Sequence, residues 1–523
     1  MVYKVLIIAF VAVIIYKLVY KPKVKYLFPV WAPIEIALTC YILSNGGLSK
    51  RILSFIRRYN GSLFGITSKH QILVNLPGVD RLMSQPFHTL SAEPVQYTLV
   101  TRVFGGIDSP DLKKRLDNSW KDLFTPIEQL FLNDSASTAA LERACIPEQT
   151  SSFVSFSSDP RHMRRWEQSA DVRVLPGRPE TAEANLQSLA RDFGACIAIP
   201  QLYGKDFLDR YPQLLDDLWK FDNDLFPLLM IGIPAWMPFK LIQEARAARS
   251  RLHSEIAALS RRIDQYARGE RVDFDANMSD VSSAAFERNR VFVREGWSYS
   301  ERAPADLGAL WGQNANTQPV LFWLLAYVYS NPNLLDRLRQ EIAPYVILSS
   351  IAPTKIASMD IPALSRNCQL LKACIFETYR MANEPTSIRY ISRHMTISDG
   401  ELKHEIKPGT FISAPHSMIN RDPSVFVDPD NFVPERFLEI DAGSSKPVAR
   451  YGRLKPWGAG ASMCKGRKFA EKEVISVGAA IISLWNIEPA SGTWDMPAMI
   501  PGTGVKKPVK DIRVRITRRT TQD

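Results

Sequence analysis

Cysteine and histidine are scarce in this chain, which has six cysteines and seven histidines among 523 residues. No two cysteines form a Cys-x-x-Cys pair, so the sequence indicates neither a disulfide framework nor a zinc knuckle. No two histidines stand in His-x-x-x-His spacing, which argues against a histidine-built metal site. The body of the protein is therefore expected in a reducing compartment, where one cysteine can matter more than any group of them.

Linkers, repeats and nucleotide-binding loops are also missing from the sequence. No stretch rich in Gly, Ser or Pro is long enough to be an interdomain linker, and no internal repeat is visible, so one large compact body is allowed. No Gly-rich dinucleotide loop occurs, which argues against a fused reductase. The net charge of +11 is not gathered into one arm, so nucleic acid is not an expected partner. A membrane surface or an acidic protein partner explains the charge as well.

The N-terminus carries one apolar run, from residue 5 to residue 16. Four lysines follow it, at positions Lys17, Lys21, Lys23 and Lys25. The run is short for a membrane span, which needs about 20 residues, but Lys17 could reach the interface. The basic flank would hold the body on the cytosolic side, so we predict a single-pass membrane anchor over residues 1–26 and one domain over residues 27–523. A cleaved signal peptide is the alternative, although no small-residue cleavage site follows.

Helical signatures dominate the chain from about residue 109 onward. Amphipathic runs predict helices over residues 186–203, 240–266, 304–329, 334–345 and 361–381. Strand signatures are few, and the clearest are residues 387–398 and 402–406, joined at the hairpin dipeptide Asp399-Gly400, and then residues 410–414. The sequence therefore predicts a mainly α fold with small β-sheets.

The segment over residues 226–239, FPLLMIGIPAWMPF, is apolar and contains three prolines, so it is too broken to be a spanning helix. Two interpretations stay open for it. It could be buried core, or it could be a surface loop that dips into the bilayer beside the entrance of an apolar pocket.

A glycine-rich loop surrounds the last cysteine, in the stretch PWGAGASMCKGRKFA. Gly458, Gly460 and Gly466 flank Cys464, and a helix-forming segment follows from residue 467. Glycines let the backbone approach a flat ligand closely. A thiolate at the start of a helix meets free backbone N–H groups and the positive end of the helix dipole, as a cysteine that ligates haem iron requires. A buried structural cysteine is the alternative.

The spacing Trp457-x-x-Gly460-x-x-x-Cys464-x-Gly466 resembles the haem loop of the cytochrome P450 family. Trp457 stands where that family usually has Phe. Ser462 stands where many members have a basic residue that reaches a haem propionate, so one propionate contact is not accounted for. The resemblance implies the fold of that family, with Cys464 as the axial ligand of the haem iron, and with Trp457, Gly458, Gly460 and Gly466 shaping the cofactor site.

Two more motifs follow the family's order. Glu377-x-x-Arg380 lies in a predicted helix, where side chains three residues apart are neighbours, and Arg436 lies in the motif FVPERF. Together they resemble the family's Glu-Arg-Arg triad, a structural clamp behind the haem loop; a weak surface salt bridge is the ordinary reading of such a pair. By its offset from Arg380, Arg389 is a candidate propionate partner, and a solvent-facing strand arginine is the alternative.

The predicted helix over residues 304–329 resembles the long helix that lies over the haem in this family. Its polar residues argue against a second membrane span. Gly312, Ala315, Asn316 and Pro319 share one face, which could leave room for a ligand. Pro319 cannot donate to the carbonyl of Ala315, so we expect a kink there and a carbonyl that holds water or dioxygen beside the amide of Asn316. A satisfied core asparagine is the alternative.

Aligned on Trp323, the family's acidic residue and threonine become Ala315 and Asn316, and Thr317 follows. We therefore name Ala315, Asn316 and Thr317, with Cys464, as candidate catalytic residues. Asn at this position resembles the branch that contains steroid 7α-hydroxylases, sterol 12α-hydroxylases and prostacyclin synthase. Without the acid and the alcohol, proton delivery would depend on the amide and on ordered water.

The resemblance implies a monooxygenase of the endoplasmic reticulum membrane that inserts oxygen from O2 into a lipophilic substrate, such as a sterol, a terpenoid or another secondary metabolite. Electrons would come from NADPH through NADPH–cytochrome P450 reductase. Five cations around the cysteine loop could dock that partner, or could form a solvated basic helix face. They are Lys455, Lys465, Arg467, Lys468 and Lys472.

Two other functions stay open. The first is a haem-thiolate isomerase or dehydratase that acts on a peroxide without NADPH, and it rests only on Ala315 and Asn316. The second is a non-catalytic haem-binding protein. The segments that the resemblance places around the substrate are residues 95–106, residues 226–239, Leu310, Trp311, the region of Thr386 and residues 500–504.

Overall fold

The computed structural model describes residues 27–44, 61–74 and 76–520. The predicted anchor over residues 1–26 lies outside the described residues. Among the helices of the described ranges, none combines the length and the hydrophobicity that a membrane crossing requires.

Eleven helices of ten residues or more occur in the described part of the chain. They are α1 (Ala32–Ser44), α2 (Pro110–Leu130), α3 (Asp134–Arg143), α4 (Leu186–Tyr203), α5 (Lys240–Ala267), α6 (Ser283–Arg294), α7 (Tyr299–Asn314), α8 (Thr317–Tyr329), α9 (Pro332–Ile342), α10 (Gln369–Ala382) and α11 (Arg467–Leu484). Shorter helices cover Val79–Met83, Glu93–Thr98, Ile146–Ser151, Arg165–Ser169, Lys205–Arg210, Leu214–Lys220, Phe226–Met230 and Ile361–Asn367. Two π-helical turns cover Leu99–Val103 and Phe221–Leu225, and 3-10 turns cover Asp273–Asp275, His416–Ile419 and Pro434–Phe437.

The strands are short and form small sheets. They are β1 (Leu63–Thr67), β2 (His70–Leu73), β3 (Leu90–Ser91), β4 (Arg173–Leu175), β5 (Arg178–Asn185), β6 (Val346–Leu348), β7 (Ile356–Met359), β8 (Thr386–Ile391), β9 (Met395–Asp399), β10 (Leu402–Ile406), β11 (Phe411–Pro415), β12 (Leu438–Ile440), β13 (Pro447–Ala449), β14 (Trp485–Pro489), β15 (Met499–Ile500), β16 (Lys507–Pro508) and β17 (Arg513–Arg518). A five-stranded sheet has the order β1-β2-β11-β8-β3, in which only β2 and β11 pair in parallel. A four-stranded sheet has the order β14-β17-β5-β4. The predicted mainly α fold with small sheets is confirmed.

Helix α8 forms the centre of the core. Its sequence is apolar on nearly every side, as a fully enclosed helix requires, and Phe322, Trp323 and Leu324 are completely buried. Helices α4, α10 and α11 pack around it. Because Asn316 and Thr317 stand at the start of this helix, the core fixes the position of the predicted oxygen-side residues.

The helix predicted over residues 304–329 begins five residues earlier than expected. Ser298 and Glu301 form a reciprocal capping box, which satisfies free N–H groups at the first turn and sets the start of α7 at Tyr299. Pro304 therefore lies inside α7 rather than in its first turn, and that part of the prediction was wrong.

The same segment is two helices, because the chain breaks at Ala315 and Asn316. A kink was expected at Pro319, and Pro319 is its physical cause. Since proline has no N–H, the carbonyl of Ala315, four residues earlier, loses its helical donor, and the interruption falls at the acceptor end.

Other predicted segments differ mainly at their boundaries. The helix at 186–203 is α4 with the same bounds, and the helix at 240–266 is α5 with one more residue. The helix at 361–381 is divided at Cys368 into a short helix and α10. The strand at 387–398 is likewise divided into β8 and β9, and β9 pairs with β10 through the predicted hairpin.

The segment over residues 226–239 combines both interpretations. Phe226 and Ile233 are buried and belong to the main core. Trp236 and Phe239 are each 57% exposed, which is unusual for such large apolar side chains. The first half is therefore core, and the second half presents apolar surface to the outside.

Candidate active site

Two left-handed glycines shape the loop before Cys464. Gly458 and Gly460 have φ angles of 77° and 76°, a conformation that glycine adopts at little cost. The N–H of Cys464 donates to the carbonyl of Trp457 at 3.0 Å and closes the loop. A Cβ on Gly460 would lie 2.1 Å from the carbonyl oxygen of Met83, so the loop is pressed against the end of the short helix before β3.

Replacing Gly460 with alanine is expected to prevent this loop from closing and to abolish haem incorporation. Gly452 is the matched control, because it is also left-handed (φ 53°) but has no described atom within 4 Å of its Cβ position. Gly452→Ala should cost only the left-handed strain, about 1–2 kcal/mol. The measurement is the haem content of the two purified variants. Equal haem content would contradict the importance of the close contact with Met83.

The side chain of Cys464 is exposed beside the first residues of α11. Protein atoms surround it on its other sides, and this burial raises the pKa of the Cys464 thiol. The backbone N–H groups of Gly466 and Arg467 and the guanidinium of Arg467 act in the opposite direction, because they stabilise the thiolate. An exposed thiol with these donors beside it fits a residue that would ligate haem iron.

Strand β8 holds the cysteine loop from one side. The hydroxyl of Ser387 accepts the N–H of Ala459 at 2.9 Å, and the guanidinium of Arg389 donates to the carbonyl of Ala459 at 3.0 Å. Side chains two apart on a strand share a face, so both reach the loop together. Arg389 is only 5% exposed, which contradicts the alternative of a solvent-facing arginine.

Trp457 is held by aromatic neighbours. Its indole N–H donates to the hydroxyl of Tyr451 at 2.9 Å, and that hydroxyl donates to Glu471 on α11 at 2.7 Å. The ring of Tyr379 meets the indole edge-on, with 5.1 Å between centroids. The tryptophan therefore connects the loop to α10 and α11.

The structure brings Glu377, Arg380 and Arg436 together. Arg380 donates to both carboxylate oxygens of Glu377, at 2.8 and 2.7 Å, and Arg436 donates to the same carboxylate at 3.2 Å. Arg380 also donates to the carbonyls of Asn420 and Pro429, each at 2.7 Å. The side chains of Glu377 and Arg380 are completely buried, so this cluster is not a surface salt bridge.

The oxygen-side residues lie at the break between α7 and α8. No described atom lies within 4 Å of the Cβ position of Gly312, so free space adjoins this face of α7. The buried side-chain oxygen of Asn316 has no hydrogen-bond partner among the described residues. It faces Gly504, whose Cβ position lies 2.6 Å from it. Ala315 and Thr317 are both buried.

Sequence reasoning missed a buried acid behind this break. Glu473 on α11 accepts the amide N–H of Gln318 at 3.0 Å, and complete burial raises the pKa of Glu473 to about 8. The other oxygens of both side chains have no partner in the described part of the chain. A protonated Glu473 could supply the missing donor. The one signal in the sequence was an acid directly before the apolar run of α11.

Glu473 predicts a pH-dependent stability. Because its pKa is higher in the folded than in the unfolded chain, the stability it provides is complete below about pH 4.5 and falls by about 1.4 kcal/mol per pH unit until about pH 8. Glu473→Gln removes this dependence while keeping a donor. The difference in unfolding free energy between variant and wild type should therefore move in favour of glutamine from pH 5 to pH 8. Glu488→Gln, at an exposed position of β14, is the control, and a constant difference for Glu473→Gln would contradict the prediction.

Most of the predicted docking cations already have carboxylate partners. Lys455 pairs with Asp80, Lys465 with Glu128 at 3.4 Å and Lys472 with Asp134 at 3.0 Å. The guanidinium of Arg467 donates to the carbonyl of Cys464, and Lys468 is exposed. The pairs of Lys455 and Lys465 are surface pairs that contribute little, so a partner could compete for these two cations, whereas Lys472 is largely buried and donates to further oxygens.

Comparisons with known proteins agree with this geometry. A family model described as Cytochrome P450 matches residues 207–514. A cytochrome P450 monooxygenase of Gibberella zeae is 26% identical over 327 residues, which cover 61% of this chain and 59% of that protein. The 25-hydroxycholesterol 7-alpha-hydroxylase of Rattus norvegicus is 28% identical over 319 residues, which cover 57% of this chain and 72% of that protein. The 7-alpha-hydroxycholest-4-en-3-one 12-alpha-hydroxylase of Homo sapiens is 25% identical over 217 residues, which cover 39% of this chain and 43% of that protein. Each similarity spans only part of the relative's length.

The matched region includes α7, α8, α10, the cysteine loop and α11. Similarity to 7α- and 12α-hydroxylases confirms the branch indicated by Asn316. Since the family model covers more than half of the chain, the protein belongs to the cytochrome P450 family.

Proposed function

We propose that this protein is a haem-thiolate monooxygenase that inserts oxygen from O2 into a lipophilic substrate. The observation that carries the proposal is the position of Cys464, which is exposed in a loop shaped by two left-handed glycines and lies at the start of α11. Bound haem would supply the iron that activates O2, with electrons from a redox partner. Cys464 would ligate the iron, and the loop glycines would let the macrocycle lie close to the backbone.

The remaining site residues have separate roles in this proposal. Arg389 uses two of its five N–H donors on backbone carbonyls, so others are available for a propionate. Trp457 would fix the position of the loop through Tyr451. Asn316 would hold a water molecule between its unpaired oxygen and the carbonyl of Ala315, and would pass protons toward the oxygen site. Thr317, which begins α8, would support this transfer of protons through Asn316 and the water molecule.

A sterol or another polycyclic lipid is the proposed substrate class. The rat and human relatives carry names of sterol hydroxylases, and the fungal relative is a monooxygenase. Near α7 the aromatic rings of Phe104, Phe226 and Trp311 pack together, and we propose that this cluster forms one wall of the substrate space. Apolar walls of this kind favour a ligand with a large apolar surface.

The proposed setting is the cytosolic face of the endoplasmic reticulum membrane, with an anchor over residues 1–26 and the haem domain over residues 27–523. The exposed Trp236 and Phe239 would touch the lipid surface. NADPH–cytochrome P450 reductase would dock on the cations around the cysteine loop.

Labelled O2 distinguishes this function from its alternatives. Membranes that contain the protein, the reductase and NADPH should transfer one oxygen atom from labelled O2 to a member of a sterol panel that includes 25-hydroxycholesterol. The protein without reductase, supplied with a lipid hydroperoxide, is the second arm. Conversion only in the second arm would favour the isomerase or dehydratase. That alternative is supported by Ala315 and Asn316, which stand in place of the acid–alcohol pair. No conversion in either arm would favour a haem-binding protein.

A further inference from the structure

Asp222 lies where three separate parts of the chain meet. It belongs to the π-helical turn Phe221–Leu225 and is only 1% exposed. One carboxylate oxygen accepts the indole N–H of Trp311 and the hydroxyl of Thr503, both at 2.8 Å. The other oxygen accepts the ammonium group of Lys507. A single buried carboxylate thus holds α7 and the segment before β16 in one arrangement.

Both neutral donors directly precede glycines of the candidate site in the sequence. Trp311 directly precedes Gly312, whose Cβ position is open. Thr503 directly precedes Gly504, which lies against the side-chain oxygen of Asn316. The hydrogen bonds of Asp222 therefore join two segments that reach the candidate site, namely α7, which contains Gly312, and the C-terminal segment, which contains Gly504.

The orientation of the Trp311 indole is set at two points. Its N–H is held by Asp222, and its ring stacks on Phe226 with centroids 4.7 Å apart and an interplanar angle of 14°. Phe104 packs against the same indole at 5.8 Å and lies over Gly308, one turn before Gly312. Losing the N–H acceptor would leave the indole free to rotate within the aromatic cluster.

The carboxylate of Asp222 is already occupied by three donors, so it is unsuited to binding a charged substrate group itself. The ammonium group of Lys507 has one further acceptor, the side-chain oxygen of Asn223 at 2.6 Å. Without the charge of Asp222, this largely buried cation would lose the one carboxylate that pairs with it among the described residues, and the segment around Thr503 would lose its attachment to the turn that contains Asp222.

We propose that Asp222 is a positioning residue that sets the shape of the substrate space beside Gly312 through Trp311 and the segment 501–507. The role as a substrate wall rests on the proposed function. The ligand class it selects is a rigid apolar molecule that extends beyond the iron toward α7 and meets the fixed indole.

Asp222→Asn tests this proposal, with Asp224→Asn in the same turn as the matched control. The first readout is the spectral titration of the ferric protein with imidazole, which needs only the iron, and with 4-phenylimidazole, whose ring reaches the walls. In Asp222→Asn the preference for 4-phenylimidazole over imidazole should fall about fivefold or more, because the walls must now be ordered on binding. Asp222→Glu, which keeps the charge, should restore part of the preference.

Hydrogen exchange of the amides of residues 502–504 is the second readout, and it needs no haem. Exchange should become faster in Asp222→Asn and in Thr503→Val, which removes one donor with little change in shape, but not in Asp224→Asn. An unchanged azole preference with unchanged exchange would overturn the proposal, as would equal effects in Asp224→Asn. If Asp222→Asn does not fold, Thr503→Val decides by the same criteria. Failure of the proposed function is separate, since it would appear as a wild-type protein without the carbon monoxide spectrum of a thiolate-ligated haem.

Discussion

Replacing Cys464 with serine is expected to abolish the strongly red-shifted Soret band of the reduced protein under carbon monoxide. The band depends on a thiolate ligand, and a serine hydroxyl does not ionise beside the N–H groups of Gly466 and Arg467 as a thiol does. The loop itself should survive, because its closing bond joins the N–H of residue 464 to the carbonyl of Trp457 and does not involve the side chain. The measurement is the carbon monoxide difference spectrum of membranes that contain each protein.

Cys145→Ser is the control for this change, because Cys145 is also exposed but stands at the start of a short helix elsewhere in the chain. It should leave the band intact. A wild-type protein without the band, or a band that survives in Cys464→Ser, would exclude Cys464 as the ligand and would remove the basis of the proposed monooxygenase.

Replacing Glu377 with glutamine is expected to have the second largest effect. The change leaves the fully buried guanidinium of Arg380 and the neighbouring Arg436 without a counter-charge. Breaking a buried pair in this way costs about 3–5 kcal/mol, which is a large part of the stability of a domain. Because Arg380 also holds the carbonyls of Asn420 and Pro429, the chain that leads to the cysteine loop should loosen and haem should be lost.

Denaturant unfolding of the purified proteins, followed by the haem absorbance, measures this effect. Glu435→Gln is the matched control, since Glu435 forms an exposed pair with Arg337 and should contribute less than about 1 kcal/mol. Equal stability of the two variants would show that the buried cluster does not hold the loop.

Much of the fold could be predicted because its signals are local. The amphipathic period of α4, the Asp399-Gly400 turn between β9 and β10, and the glycines around Cys464 each depend on a few neighbouring residues. The spacing of Glu377 and Arg380 on one helix likewise placed both side chains together without knowledge of the rest of the fold.

The remaining features depend on contacts between distant segments. Asp222 is one of several acids in its stretch of sequence, and nothing nearby shows that Trp311, Thr503 and Lys507 converge on it. The start of α7 depended on a capping box at Ser298 that competed with Pro304 as the first-turn signal. Such choices are decided by tertiary packing and by the strongest available cap, which sequence periodicity does not weigh.

Gly194 on α4 constrains which substitutions the protein can accept during evolution. A Cβ there would lie 1.9 Å from the side-chain oxygen of Gln318, so the amide in its present position requires glycine at 194. A larger residue at 194 therefore requires the Gln318 side chain to move or to be replaced by a shorter one, and either change disturbs the hydrogen bond that Gln318 donates to Glu473. We expect these three positions, on three different helices, to be inherited together or replaced together.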